Sequence, residues 1–138
     1  MNVAALTEAP LAVQVHLATV LPAFLIGGWS LFVSRPGSTA HRVAGRVFAV
    51  LMAITATTTV FIQSHFGFAL TAGPLRMSPI HLFIPLTAHG LWSGIRAIRA
   101  GEIERHRAIM RRLFFGSIVI AGLFTLLPGR RLHSFLFL

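Results

Sequence analysis

Four stretches of this chain contain no Arg, Lys, Asp or Glu: residues 11–33, 47 to about 63, 77–95 and 113–129. A helix needs roughly 20 residues to cross about 30 Å of hydrocarbon, and in lipid every backbone amide must find its partner internally. A water-soluble helix of that length would carry a charged face, and none of these does. Flanking arginines can snorkel and lengthen the two shorter runs, which gives spans at about 11–33, 45–65, 78–98 and 110–128. Little remains for a soluble domain: of 138 residues, 55% are hydrophobic and 11% charged, and the mean hydropathy is +0.79. The expected fold is all-α, an integral membrane four-helix bundle forming a single membrane domain over 1–138. The first run is too long for the apolar part of a signal peptide, and Met1 to Pro10 carry Glu8 and no basic residue, so it is expected to stay in the mature protein. Cysteine is absent, which excludes disulfides, iron–sulfur clusters and thiolate metal sites.

Charge sets the expected orientation. All 12 basic residues are arginine. Arg35, Arg42 and Arg46 lie between the first two spans, and Arg96, Arg99, Arg105, Arg107, Arg111 and Arg112 between the third and fourth; the other side has Arg76, Arg130 and Arg131. The positive-inside rule then puts both Arg-rich turns in the cytoplasm and the N- and C-termini outside, with Trp29 and Trp92 in the inner aromatic belt. The net charge of +9 sits at helix ends beside apolar spans, where anionic lipid headgroups account for it, so the bilayer is the expected partner and nucleic acid is not.

A shift of 65 residues lays His16-Leu17 on His81-Leu82, His41-Arg42 on His106-Arg107 and Arg46 on Arg111. Together with the hydropathy register, this predicts two parallel helix-pair repeats, about 11–65 and 76–130, related by an axis along the membrane normal. In that geometry His16, His81, His65 and His133 gather in the outer half of the bundle. Neutral imidazoles from different helices can hold a haem or a metal ion there; interfacial histidines can equally cap helix ends or touch headgroups. His81 follows Ser78-Pro79, a helix-start pattern that suits the second role, whereas His16 stands inside an apolar run, where an ionisable residue is a functional candidate.

Glu8, Glu102 and Glu104 are the only acids and lie at helix margins, so a carboxylate-bridged di-iron site is excluded. A b-type haem is the leading candidate, with ring room from Gly27-Gly28 and propionate pairing by Arg76 or Arg130; copper or zinc on His16, His81 and His65 is the alternative, and no cofactor at all is the third case. His41, Arg42, Arg46, His106, Arg107 and Arg111 place basic side chains at four-residue spacing, suited to lipid phosphate, an anionic partner, or Glu102 and Glu104 folded back across the turn. His89 is expected to make an interhelical hydrogen bond. Gly45, Ala49 and Ala53, and Ser117 with Ala121, form small-residue stripes suited to close helix approach, and Pro22 and Pro85 are candidate kinks.

Gln-Val-His (14–16), His-Arg-Val-Ala-Gly-Arg (41–46), Phe-Ile-Gln-Ser-His (61–65), Ser-Pro-Ile-His-Leu (78–82), His-Arg-Ala-Ile-Met (106–110) and Ile-Ala-Gly-Leu-Phe-Thr-Leu-Leu-Pro-Gly-Arg (120–130) form a set. As such, the chain resembles a widespread group of small bacterial four-helix membrane proteins catalogued as a domain of unknown function. The resemblance implies a multi-pass protein of the bacterial inner membrane and assigns no reaction. A looser likeness to four-helix b-type cytochromes and the membrane part of ferric reductases differs at His41 and His106, which fall in the turns and argue against a second haem. Three functions fit: a b-type haem protein passing electrons, with quinone as a candidate partner; a non-catalytic accessory subunit of a larger membrane complex; and a copper or zinc binding or transport protein. No catalytic residue is assigned.

Overall fold

The computed structural model describes residues 3–62, 70–72, 75–77, 79–126 and 137. After a single turn α1 (Ala4–Thr7), the bundle consists of α2 (Leu11–Phe32), α3 (Thr39–Phe61), α4 (Phe83–Arg99) and α5 (Ile103–Thr125). Three of these, α2, α3 and α5, are long and apolar enough to cross a membrane. The α-helical part of α4 has 17 residues, and the 3-10 turn Pro79–Leu82 leads into it, so the rod is roughly 30 Å long. Between α3 and this turn, β1 (Leu70–Ala72) pairs antiparallel with β2 (Leu75–Met77) in the register Leu70 to Met77.

Local chemistry sets the helix ends. Arg35-Pro36-Gly37-Ser38 closes on a bond from the Ser38 amide to the Arg35 carbonyl, with Gly37 at φ 81°, where proline and then a left-handed glycine suit a type II turn. Ser38 also accepts from the His41 amide and so starts α3 at Thr39, ahead of the apolar run. Ser38→Ala is expected to cost about 1 kcal/mol of stability, read as a lower unfolding midpoint in detergent. At the other turn, the Glu102 amide bonds the Ala97 carbonyl and the Gly101 amide bonds Ile98, with Gly101 at φ 76°. That is a Schellman closure, and it folds α5 back along α4. Helix α2 runs through Pro22. Within α5, Phe114–Ile120 is a π-helical segment.

The core lies between the Arg-rich end and mid-bundle: Ala23, Phe48, Met52, Leu91, Leu113, Phe114 and Ile118. Phe114 stacks on Phe24 at 5.7 Å and meets Phe115 edge-on at 5.4 Å. Close helix approach does not use the expected stripe on α3, because Gly45 and Ala53 are exposed and Gly45 has open space around it. It uses Gly27, facing the Phe48 and Phe114 rings, and Gly90 and Gly94, covered by Leu113 and Met110. The polarity is inverted relative to a soluble bundle: Thr19, Thr55, Thr87 and Ser117 are buried, while Leu21, Leu25, Phe32, Val50 and Phe61 lie outside, each at least 60% exposed. That outer surface contacts the lipid bilayer.

Candidate histidine sites

Helices α2 and α3 are antiparallel neighbours, so the sixth residue of α2 meets the last turns of α3. His16, partly buried, places Nδ1 3.2 Å from the Thr55 carbonyl and 3.3 and 3.2 Å from the hydroxyls of Thr58 and Thr59. Those hydroxyls reach the carbonyls of their own preceding turn, Thr58 to Ile54 and Thr59 to Thr55. A carbonyl can only accept, so in the neutral ring Nδ1 carries the proton and Nε2 keeps its lone pair. One turn along α2, the Thr19 and Thr55 hydroxyls pair at 2.8 Å.

His81 is buried in the 3-10 turn at the same end of the bundle. The described contacts of His16 run to α3 and not to His81. His65 and His133 lie outside the described residues, as does Arg130, and the side chain of Arg76 is likewise not described. The room expected beside Gly27 is filled: a Cβ there would stand 2.8 Å from the Phe48 ring and 2.9 Å from that of Phe114.

At the Arg-rich end the two histidines turn inward and the arginines do not. His41 and His106 are partly buried, whereas Arg42, Arg46, Arg107 and Arg111 are exposed. The Ser34 hydroxyl donates to the Ser30 carbonyl at 2.9 Å, so at 2.7 Å from His41 Nδ1 it accepts that ring proton. His106 Nδ1 lies 2.8 Å from the Gly94 carbonyl and must donate to it. The glutamates pair on their own helix, Glu102 with Arg105 at 3.0 Å and Glu104 with Arg107 at 3.5 Å. Such exposed pairs contribute little.

The profile of a family described as a predicted membrane protein (DUF2306) matches residues 13–136. The chain belongs to that family. No curated protein and no solved structure matches it. The matched segment contains α3, α4 and α5, all but the first two residues of α2, and all seven histidines.

His89 departs from expectation: it is exposed on α4 and approaches Ser93 of its own helix at 3.3 Å rather than a neighbouring helix. The sequence reading missed Ser34 and Gly94 as histidine partners. The usable signal was position, since each of these histidines opens a helix that follows a tight turn and therefore faces the end of the preceding helix.

Proposed function

We propose that this family member is a b-type haem protein of the bacterial inner membrane, carrying electrons at the end of the bundle opposite the arginines. The observation that carries it is His16: an imidazole inside an apolar span, its Nδ1–H held by the Thr55 carbonyl and its Nε2 lone pair free. Histidines that ligate a metal are held this way, because the hydrogen bond at the far nitrogen fixes the tautomer and raises basicity at the ligating one. In this reading His16 and the buried His81 would hold the haem, with His65 and His133 as further candidates by their places in the sequence. The iron would supply a one-electron couple between its ferric and ferrous forms, for which a membrane quinone is the candidate partner.

The proposal includes two parallel helix-pair repeats with both termini outside. One support is a matched pair of buried hydroxyl bridges. Thr19 meets Thr55 between α2 and α3, and Thr87 donates to Ser117 at 2.7 Å between α4 and α5. Relative to the 65-residue shift, the second bridge moves three residues along each antiparallel helix, one turn toward the Arg-rich end.

The test is the absorption spectrum of the purified, haem-replete protein, air-oxidised and then dithionite-reduced. A stoichiometric Soret band that is lost or weakened at least tenfold in His16→Ala is expected. A blank spectrum in the intact protein rejects haem, and metal analysis of the same sample then weighs copper or zinc.

A further inference from the structure

We infer that a cleft at the α4–α5 turn, lined by His89, Trp92, Ser93 and Arg96 from α4 and by Glu102 and Arg105 beyond the turn, binds a membrane phospholipid through its phosphodiester group. The inference depends neither on haem nor on which side of the membrane this end faces.

The cleft follows from the turn. Gly101 reverses the chain at φ 76°, so Glu102 and the start of α5 return beside the last turns of α4. Ala97 and Ala100 line the gap, and side chains that small leave a space of about 440 Å³.

Its charges do not balance. Glu102 pairs with Arg105 at 3.0 Å and Glu104 with Arg107, and the one other acid, Glu8, belongs to the N-terminal segment. Among the described residues Arg96 has no carboxylate partner, and the cleft, with two arginines to one glutamate, keeps one uncompensated positive charge. A phosphodiester carries one negative charge, whereas a phosphomonoester carries about two near neutral pH. The diester is the match. Arg96 also suits the negative end of the α4 dipole, but Arg99 fills that role equally and lies outside the cleft.

The order of groups along α4 points to a lipid rather than to a free anion. Ser93 lies roughly 5 Å and His89 roughly 10 Å from Arg96 along the helix axis, toward the middle of the bundle. A phosphate held at Arg96 therefore places the glycerol and ester carbonyls of its own lipid at the level of Ser93 and His89, both of which can donate hydrogen bonds. Their mutual contact at 3.3 Å engages one ring nitrogen of His89, and the other has no partner among the described residues. His89 is exposed on a helix packed among apolar spans, with Leu86 and Ile98 also outside, and a polar group left facing hydrocarbon is costly. Trp92, 64% exposed in the same cleft, is the residue type that sits at the headgroup boundary. A second copy packed on this face by a two-fold axis would set one positive cleft against another, which favours lipid as the occupant.

The test is titration of the detergent-purified chain with dioleoylphosphatidylglycerol, followed by native mass spectrometry, with phosphate-free dioleoylglycerol and inorganic phosphate as separate arms. One phosphatidylglycerol per chain is expected to bind ahead of any other lipid adduct. Arg96→Gln should weaken that step at least fivefold and His89→Leu at least twofold, while Arg99→Gln, which removes the same charge from the same helix end, should leave it unchanged. Arg96 is exposed, so the unfolding midpoint of Arg96→Gln should stay within a few degrees of wild type, which separates binding from folding. Equal affinity in Arg96→Gln and Arg99→Gln, equally tight binding of dioleoylglycerol or of inorganic phosphate, or an Arg96→Gln chain that loses a dimer and keeps its lipid would each overturn the inference. Haem content, read separately on the same preparation, decides the other proposal independently.

Discussion

Phe114→Ala is expected to lower the stability of the bundle by about 2–3 kcal/mol, the largest effect of any single truncation. The ring is 4% exposed and is shared by three helices: it stacks on Phe24, meets Phe32 at 6.3 Å, and covers Gly27 beside Phe48. In water, Phe→Ala costs about 3–5 kcal/mol, the sum of a transfer and a cavity contribution. Lipid tails are as apolar as the core, so the transfer part largely vanishes and packing remains. A void of roughly 100 Å³ at about 24 cal/mol per Å³ gives about 2.4 kcal/mol. Equilibrium unfolding in mixed detergent should report that loss. A change below about 1 kcal/mol would mean that the three helices do not share this ring.

Gly27→Val is expected to destabilise by about 1–3 kcal/mol through the opposite fault. Its Cβ alone would stand 2.8 Å from Phe48 and 2.9 Å from Phe114, closer than packed carbons come, and both rings are themselves buried. Neither can retreat without disturbing Met52 or Leu113 in the same cluster. Because the two faults concern one volume, Gly27→Ala combined with Phe114→Leu should cost less than the sum of the single changes, a coupling measurable in a double-mutant cycle. Strict additivity would show that the glycine and the ring do not touch. Gly45→Ala, on the same small-residue count, should change little, since nothing lies within 4 Å of it.

Much of the membrane architecture was legible before any coordinates. Charge-free runs of span length, arginine confined to their edges and the absence of cysteine lead to an all-α membrane bundle, because lipid leaves the backbone few alternatives. Turn chemistry was as readable: Pro36-Gly37-Ser38 and Gly101 act within a few residues of themselves. The interior was harder to read. In a soluble helix the apolar stripe marks the core, but here both faces are apolar and the buried face is instead the one with small and hydroxylated residues. Several small-residue stripes compete in such a sequence. Gly45 and Ala53 had the expected spacing and lost to Gly27, Gly90 and Gly94, whose partners come from other helices.

The histidines divide along the same line. The sequence by itself determined which of them stand in spans and which open helices after the Arg-rich turns, since that follows from local hydropathy and turn residues. It could not separate His41 and His106 from Arg42, Arg46, Arg107 and Arg111, which share their composition and spacing. Only the tertiary structure did so, by bringing Ser34 and the Gly94 carbonyl to the ring nitrogens while leaving the arginines outside. The physical reason is that spans follow from each segment's own exchange with lipid, whereas a ring's free nitrogen depends on which acceptor a neighbouring helix presents to the other one.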